Sequence, residues 1–153
     1  MPRTRRRTAR RAVTLALLAT VVVASPAAAD PPGPTNYDAR VLELDPPVEA
    51  VEAAVLGGDS FLQLSVAEGT EVVVRGYDGE ELYLRFDATG EVFENRRALS
   101  YYQNQSRYDP SAADRPDQVG PDVPPDWALV STDGTYAWHD HRIHWMGPTQ
   151  PPF

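Results

Sequence analysis

The chain has 153 residues, of which 22 are acidic and 14 basic; every basic residue is Arg, and there is no cysteine. Six of those Arg fall in the first 11 positions, so from Asp30 onward 8 basic residues face 22 acidic ones, a formal charge of −14. A field of that sign repels nucleic acid and anionic lipid, and the lack of cysteine excludes disulfides, thiolate metal sites, cysteine nucleophiles and lipid attachment through an N-terminal Cys.

Residues 1–29 read as a secretory signal. Arg3, Arg5, Arg6, Arg7, Arg10 and Arg11 form a basic start, and residues 12–24 are apolar apart from Thr14 and Thr20. Pro26 precedes Ala27-Ala28-Ala29, a small-residue site that places cleavage before Asp30. The apolar run is short for a bilayer span, which favours a cleaved signal over an anchor. Residues 30–38, with Pro31, Pro32, Gly33 and Pro34, read as an extended lead-in.

From Ala39 on, short apolar runs alternate with turn residues. Residues 39–44 are a first candidate strand, stopped by Asp45-Pro46-Pro47. Val51, Ala53 and Val55 alternate up to Gly57-Gly58-Asp59; Phe61, Leu62, Leu64 and Val66 follow, ended by Glu68-Gly69. The β-branched Val72-Val73-Val74 stops at Gly76-Tyr77-Asp78-Gly79, and Leu82, Leu84 and Phe86 run to Asp87-Ala88-Thr89-Gly90 before Val92-Phe93. Runs at this spacing with Gly and Asp between them predict a sandwich or small barrel, with Asp78-Gly79 as a hairpin turn. No window has an apolar period of 3.6, so long helices are not expected.

Residues 95–108 change character, with Arg96, Arg97, Tyr101, Tyr102, Gln103, Asn104, Gln105 and Tyr108. Tyrosines among amides can bind sugar or peptide; more commonly such rings pack on a sheet with their hydroxyls in water. Residues 109–126 hold five prolines and five aspartates against Arg115, and predict a long acidic loop. Asp109, Asp114 and Asp117 could be imagined around calcium, but their spacing matches no loop that presents ligands in a fixed order. Trp127-Ala128-Leu129-Val130 reads as a strand, and Asp133-Gly134 as the hairpin turn into Thr135-Tyr136-Ala137-Trp138. Residues 147–153, rich in proline, read as a linker-like tail.

The stretch from Tyr136 to Met146 holds all three histidines and two of the three tryptophans. Continued as a strand, it would put His139, His141 and Trp145 on one face and Asp140, Arg142 and His144 on the other. His139 and His141 could share one ion, and His144 would join them if the strand breaks into a turn. Three neutral imidazoles suit Zn²⁺ or Cu²⁺, and Met146 is a soft donor that would favour Cu⁺. Asp140 could orient a ligating ring. The plainer alternative is packing: the histidines bond backbone carbonyls across the sheet, Asp140 pairs with Arg142, and the tryptophans fill the core. No nucleophile-elbow serine, H-E-x-x-H or phosphate-cradling glycine loop is present. A hydrolytic zinc site would need a general base, for which Glu94 and Asp140 are the candidates.

At Gly57-Gly58-Asp59-Ser60-Phe61, Val74-Arg75-Gly76-Tyr77-Asp78-Gly79, Tyr83-Leu84-Arg85-Phe86 and the run ending His139-Asp140-His141-Arg142-Ile143-His144-Trp145-Met146, the chain resembles uncharacterised exported envelope proteins of high-GC Gram-positive bacteria. The resemblance implies an extracytoplasmic location, a β-domain, and membrane association through a module outside this chain; it implies no activity. The expectation is one all-β domain over residues 39–146, an immunoglobulin-like β-sandwich of about seven short strands behind a cleaved signal peptide. Its expected role is a non-enzymatic binding or scaffold module for an envelope protein partner, without nucleic acid. The alternative is a copper- or zinc-binding protein whose ligands are His139, His141 and His144.

Overall fold

The computed structural model describes residues 38–107 and 114–144. The expected signal segment, the tail, Trp145, Met146 and Asp109 lie outside the described residues, as does the lead-in up to residue 37.

The described chain is mostly β. In order it forms β1 (Val51–Leu56), β2 (Phe61–Val66), β3 (Val72–Arg75), β4 (Leu82–Phe86), β5 (Val92–Asn95), a single short helix α1 (Leu99–Gln103), β6 (Trp127–Ser131) and β7 (Thr135–Trp138). Two antiparallel sheets result, one ordered β1-β2-β7 and the other β3-β4-β5-β6. Seven strands in two sheets are the all-β sandwich that the alternation predicts.

The two-residue period decides which faces meet. In β1, Val51, Ala53 and Val55 are half-buried while Glu52, Ala54 and Leu56 face out. Leu62, Leu64 and Val66 of β2, with Tyr136 and Trp138 of β7, meet Tyr83, Leu84, Phe86 and Val92 of the other sheet. Leu84 and Val92 are fully buried, and Trp138 meets Tyr83 edge-on at 6.5 Å between ring centres. Burying an apolar side chain of this size stabilises by about 1.5–3 kcal/mol, so this layer holds the sheets together.

Three local expectations need correction. Residues 39–44 form no strand. Their one backbone tie is Ala39 N–H to Gly58 O, and Leu42 is 91% exposed. An apolar alternation without a partner edge leaves its backbone in water, and Pro46-Pro47 removes the next donors.

Asp133-Gly134 makes a turn but no hairpin, because β6 pairs with β5 and β7 with β2. The turn crosses between the sheets. Gly134 has φ +70°, and a Cβ there would lie 2.4 Å from Val66 O. Only glycine allows the close approach in which Gly134 N–H donates to Gly90 O (2.7 Å) and Gly134 O accepts from Val66 N–H (2.8 Å). By contrast Asp78-Gly79 does connect a hairpin, β3 to β4, with Asp78 Oδ1 accepting from Glu80 and Glu81 N–H, each at 3.0 Å.

The third correction is at β7, which ends at Trp138, so the histidines are not on a strand. The acidic segment is irregular over its described part, residues 114–126.

Helix α1 was not expected, and it is capped from outside. Ala98 at its N-terminus supplies no side-chain cap. Glu81, 1% exposed, reaches over from the β3–β4 turn instead. Its carboxyl oxygens accept from Leu99 N–H, from Ser100 N–H at 3.0 Å and from Ser100 Oγ at 2.7 Å. That satisfies first-turn donors which would otherwise be buried unpaired. Glu81→Ala should therefore lower unfolding free energy by about 2–4 kcal/mol in urea titration, with Glu81→Gln intermediate. An alanine variant as stable as the parent would show that water replaces the cap.

Candidate metal centre

The site is built on the turn that ends β7. Asp140 is fully buried and gathers the chain around its carboxylate. Trp138 Nε1 donates to Oδ2 at 2.8 Å; Arg142 donates its backbone N–H (2.9 Å) and Nε (2.8 Å) to Oδ1 and a terminal nitrogen to Oδ2 (2.6 Å). Ile143 N–H closes the turn on Asp140 O at 3.2 Å. Burial alone would raise the Asp140 pKa, but the bonds from Arg142, its charge and the Trp138 donor outweigh it and hold the carboxyl below its ordinary range.

Folding the strand back at Asp140 brings the three rings together. One ring nitrogen each from His139, His141 and His144 lies within 4.8 Å of the other two. The ring centres form a near-equilateral triangle of 5.0, 4.8 and 5.2 Å, with the planes tilted by 56–71°. Three imidazoles bound at about 2.0 Å to one tetrahedral ion would also place their ring centres about 5 Å apart. A break after His141 is what the sequence required for His144 to join the pair; the strand ends earlier, at Trp138, and all three rings stand together beyond it.

Orientation of the rings comes from backbone carbonyls, not from Asp140, whose oxygens are occupied by Trp138 and Arg142. His141 Nε2 lies 2.9 Å from Gln103 O, at the C-terminal end of α1, and His144 Nε2 lies 3.1 Å from Arg107 O. A carbonyl only accepts, so each Nε2 carries a proton. A ring whose N–H is held by a backbone carbonyl has its orientation fixed, as the rings of metal-ligating histidines do. His139 Nε2 is buried with no hydrogen-bond partner.

The segment supplying those carbonyls is itself anchored. Arg107 donates to Asp59 Oδ1 at 2.5 Å and to Ser60 Oγ at 3.0 Å, a buried tie to the β1–β2 turn. Tyr77 Oη accepts from His141 N–H at 2.9 Å, and its own hydroxyl donates to Asn104 Oδ1. Tyr77, Arg107 and Asp59 are the supporting residues the sequence did not reveal. Their partners lie 27 to 64 positions away, and no local spacing signals such a pair.

Two of the rings are held toward the uncharged form. Burial first, then the neighbouring His144, His141 and Arg107, lowers the His139 pKa to about 4, against a smaller opposite pull from Asp140. His144 is also lowered, chiefly by burial, although its bond to Arg107 O opposes this. Neutral imidazole is the form that ligates.

Linkage gives the sign of the stability effect for His139 in metal-free protein. Unfolded, it takes up a proton near pH 6.5; folded, it does so only near pH 4. Its contribution is present above pH 6.5 and is lost as pH falls toward 4, because the unfolded chain then binds the extra proton. Discounted for partial exposure, the loss is roughly 1–2 kcal/mol. In chelator, acidification from pH 7 to 4.5 should destabilise the parent more than His139→Gln; equal losses in both would refute the assignment.

Neither proposed general base fits that role. Asp140 is saturated with donors. Glu94 accepts from Tyr83 Oη at 3.0 Å and is ion-paired with Arg96 at 3.0 Å, and burial raises its pKa in spite of Arg96.

The chain matches no known family model, and no curated protein or solved structure shows significant similarity to it. The reading of the site therefore rests on its own geometry and chemistry.

Proposed function

We propose that this chain is an exported, non-enzymatic β-domain of the cell envelope that binds one Cu²⁺ or Zn²⁺ ion through His139, His141 and His144. The observation that carries the metal reading is the convergence of three imidazole nitrogens within 4.8 Å, with two of the rings held by backbone carbonyls. Three neutral nitrogen donors suit either ion, and the general order of divalent affinities puts Cu²⁺ above Zn²⁺. Three ligands leave a further coordination position for water or a partner's side chain. Bound metal would lock the turn after β7, whose His141 and His144 rings are already tied to the carbonyls of Gln103 and Arg107.

The location rests on the sequence: the basic start, the apolar run, the Ala27-Ala28-Ala29 site and the resemblance to exported envelope proteins. The immunoglobulin-like reading is supported as far as the architecture of two packed antiparallel sheets. The consecutive order β3-β4-β5-β6 is a meander, not the interleaved order of an immunoglobulin domain. An envelope protein is the partner that a binding or scaffold module would take.

Titration calorimetry with copper and with zinc tests the metal reading. One ion per chain at micromolar affinity or tighter is expected. Binding of neither metal at that concentration would overturn it and leave the three histidines as packing.

A further inference from the structure

We infer that the open edge of β7 is a docking groove for an extended, neutral-to-basic peptide segment, which adds to the sheet as a fourth strand. The inference rests on the reading of this domain as a binding module and is independent of the metal.

The ladder shows which backbone groups are available. Val66 N–H donates to Gly134 O. Positions two apart along an antiparallel pair share the same bonding, so Leu64–Tyr136 and Leu62–Trp138 are the hydrogen-bonded pairs of β2 and β7. Thr135 and Ala137, between them, turn their N–H and C=O away from β2. Thr135 N–H is taken by Asp133 Oδ1 at 3.1 Å. Ala137 therefore presents a donor and an acceptor outward, on a strand at the end of its sheet.

A cavity of about 550 Å³ lies along that edge. It touches Tyr136, Ala137, Trp138 and His139 in succession. Successive strand residues point to opposite faces, so a space that meets Tyr136, Ala137 and Trp138 of β7 alike runs beside the backbone. Tyr101, Asn104 and Gln105 form the facing wall.

Several features select a peptide. The outward N–H and C=O of one residue match the two-bond pairing of an added strand. The four residues of β7 extend over about 13 Å, room for a segment of similar length. Charged Glu94 and Arg96 at the end of the groove neutralise each other at 3.0 Å. The acidic excess of the chain from Asp30 onward disfavours an anionic occupant.

The test uses random dodecapeptides displayed on phage, with selected sequences remade and measured by fluorescence polarisation, in chelator and in zinc. Selected peptides should bind the protein, and Ala137→Pro should weaken them at least tenfold. Proline there removes only an outward N–H, which an edge strand tolerates, so zinc titration of this variant should match the parent. N-methylation of a peptide at one alternate backbone position should cause a similar loss, a readout that stands even if Ala137→Pro fails to fold. Undiminished binding of every N-methylated peptide would overturn the proposal. So would the absence of any enriched sequence, or displacement of the peptide by neutral oligosaccharides such as chitobiose at lower concentration. Loss of zinc binding with peptide binding intact would overturn the metal reading alone.

Discussion

Saturating the folded protein with Cu²⁺ or Zn²⁺ at about 100 times its dissociation constant should stabilise it by about 2.7 kcal/mol, because the assembled triad exists only in the folded state. For a domain of this size that is a rise in melting temperature of roughly 10–20 °C, readable by differential scanning calorimetry. His139→Ala, His141→Ala and His144→Ala should each lower affinity by at least about 100-fold and abolish most of the shift, since losing a ligand exceeds the effect of losing its support.

Their effects without metal should differ. His141→Ala removes a donor from Gln103 O and should cost about 1–3 kcal/mol in chelator, whereas His139→Ala removes a buried nitrogen with no partner and should cost less. Acid should weaken binding, because protonated imidazole cannot ligate, but at a pH below the ordinary histidine value of about 6.5. Two of the ligands are held below that value, so they keep their lone pairs into more acidic solution than free histidine would. A melting temperature unmoved by either metal, with stability losses in the variants that are the same with and without it, would leave only the packing role.

The second large effect is expected at Asp140, which touches none of the three rings through a hydrogen bond. Its carboxylate is fully buried and accepts from the Trp138 indole and three times from Arg142. Asp140→Ala leaves the buried indole N–H unpaired and strips the turn of its organising acceptor. A loss of about 3–5 kcal/mol follows, the cost of breaking a buried pair from one side. Arg142→Ala leaves the fully buried Asp140 carboxylate without its charged partner and should also cost about 3 kcal/mol. Asp140→Asn keeps one acceptor oxygen and should cost less than Asp140→Ala.

The Asp140 variants should also weaken metal binding, although Asp140 supplies no ligand. Without the turn, His139 and His144 would diverge along an extended chain. Urea unfolding and zinc titration on the same three variants check both parts. An Asp140→Ala protein of full stability, or one that binds zinc like the parent, would remove Asp140 as the organiser of the site.

The sequence by itself determined the β-class, the placing of most strands and most turns. Those features are local: alternation at Val51, Ala53 and Val55, a β-branched run at Val72-Val73-Val74, and Asp-Gly pairs whose backbone freedom stops a strand where it stands. It also identified the three histidines as the residues to watch, because H-x-H with a third histidine three positions on is a short-range pattern.

Tertiary structure decided the rest. Whether residues 39–44 become a strand depends on a partner edge, and none is offered. Whether Asp133-Gly134 closes a hairpin depends on what lies beside it; the carbonyl of Val66, 2.4 Å from where a Cβ would stand, turns the chain to the other sheet instead. The orienting carbonyls of Gln103 and Arg107, the capping carboxyl of Glu81 and the buried Arg107–Asp59 pair join positions far apart in the chain. Backbone carbonyls are the same at every residue, so no pattern of side chains announces which of them will hold an imidazole. The histidine pattern was local and legible; its convergence depended on a turn gathered around one buried aspartate, just beyond the end of β7 at Trp138.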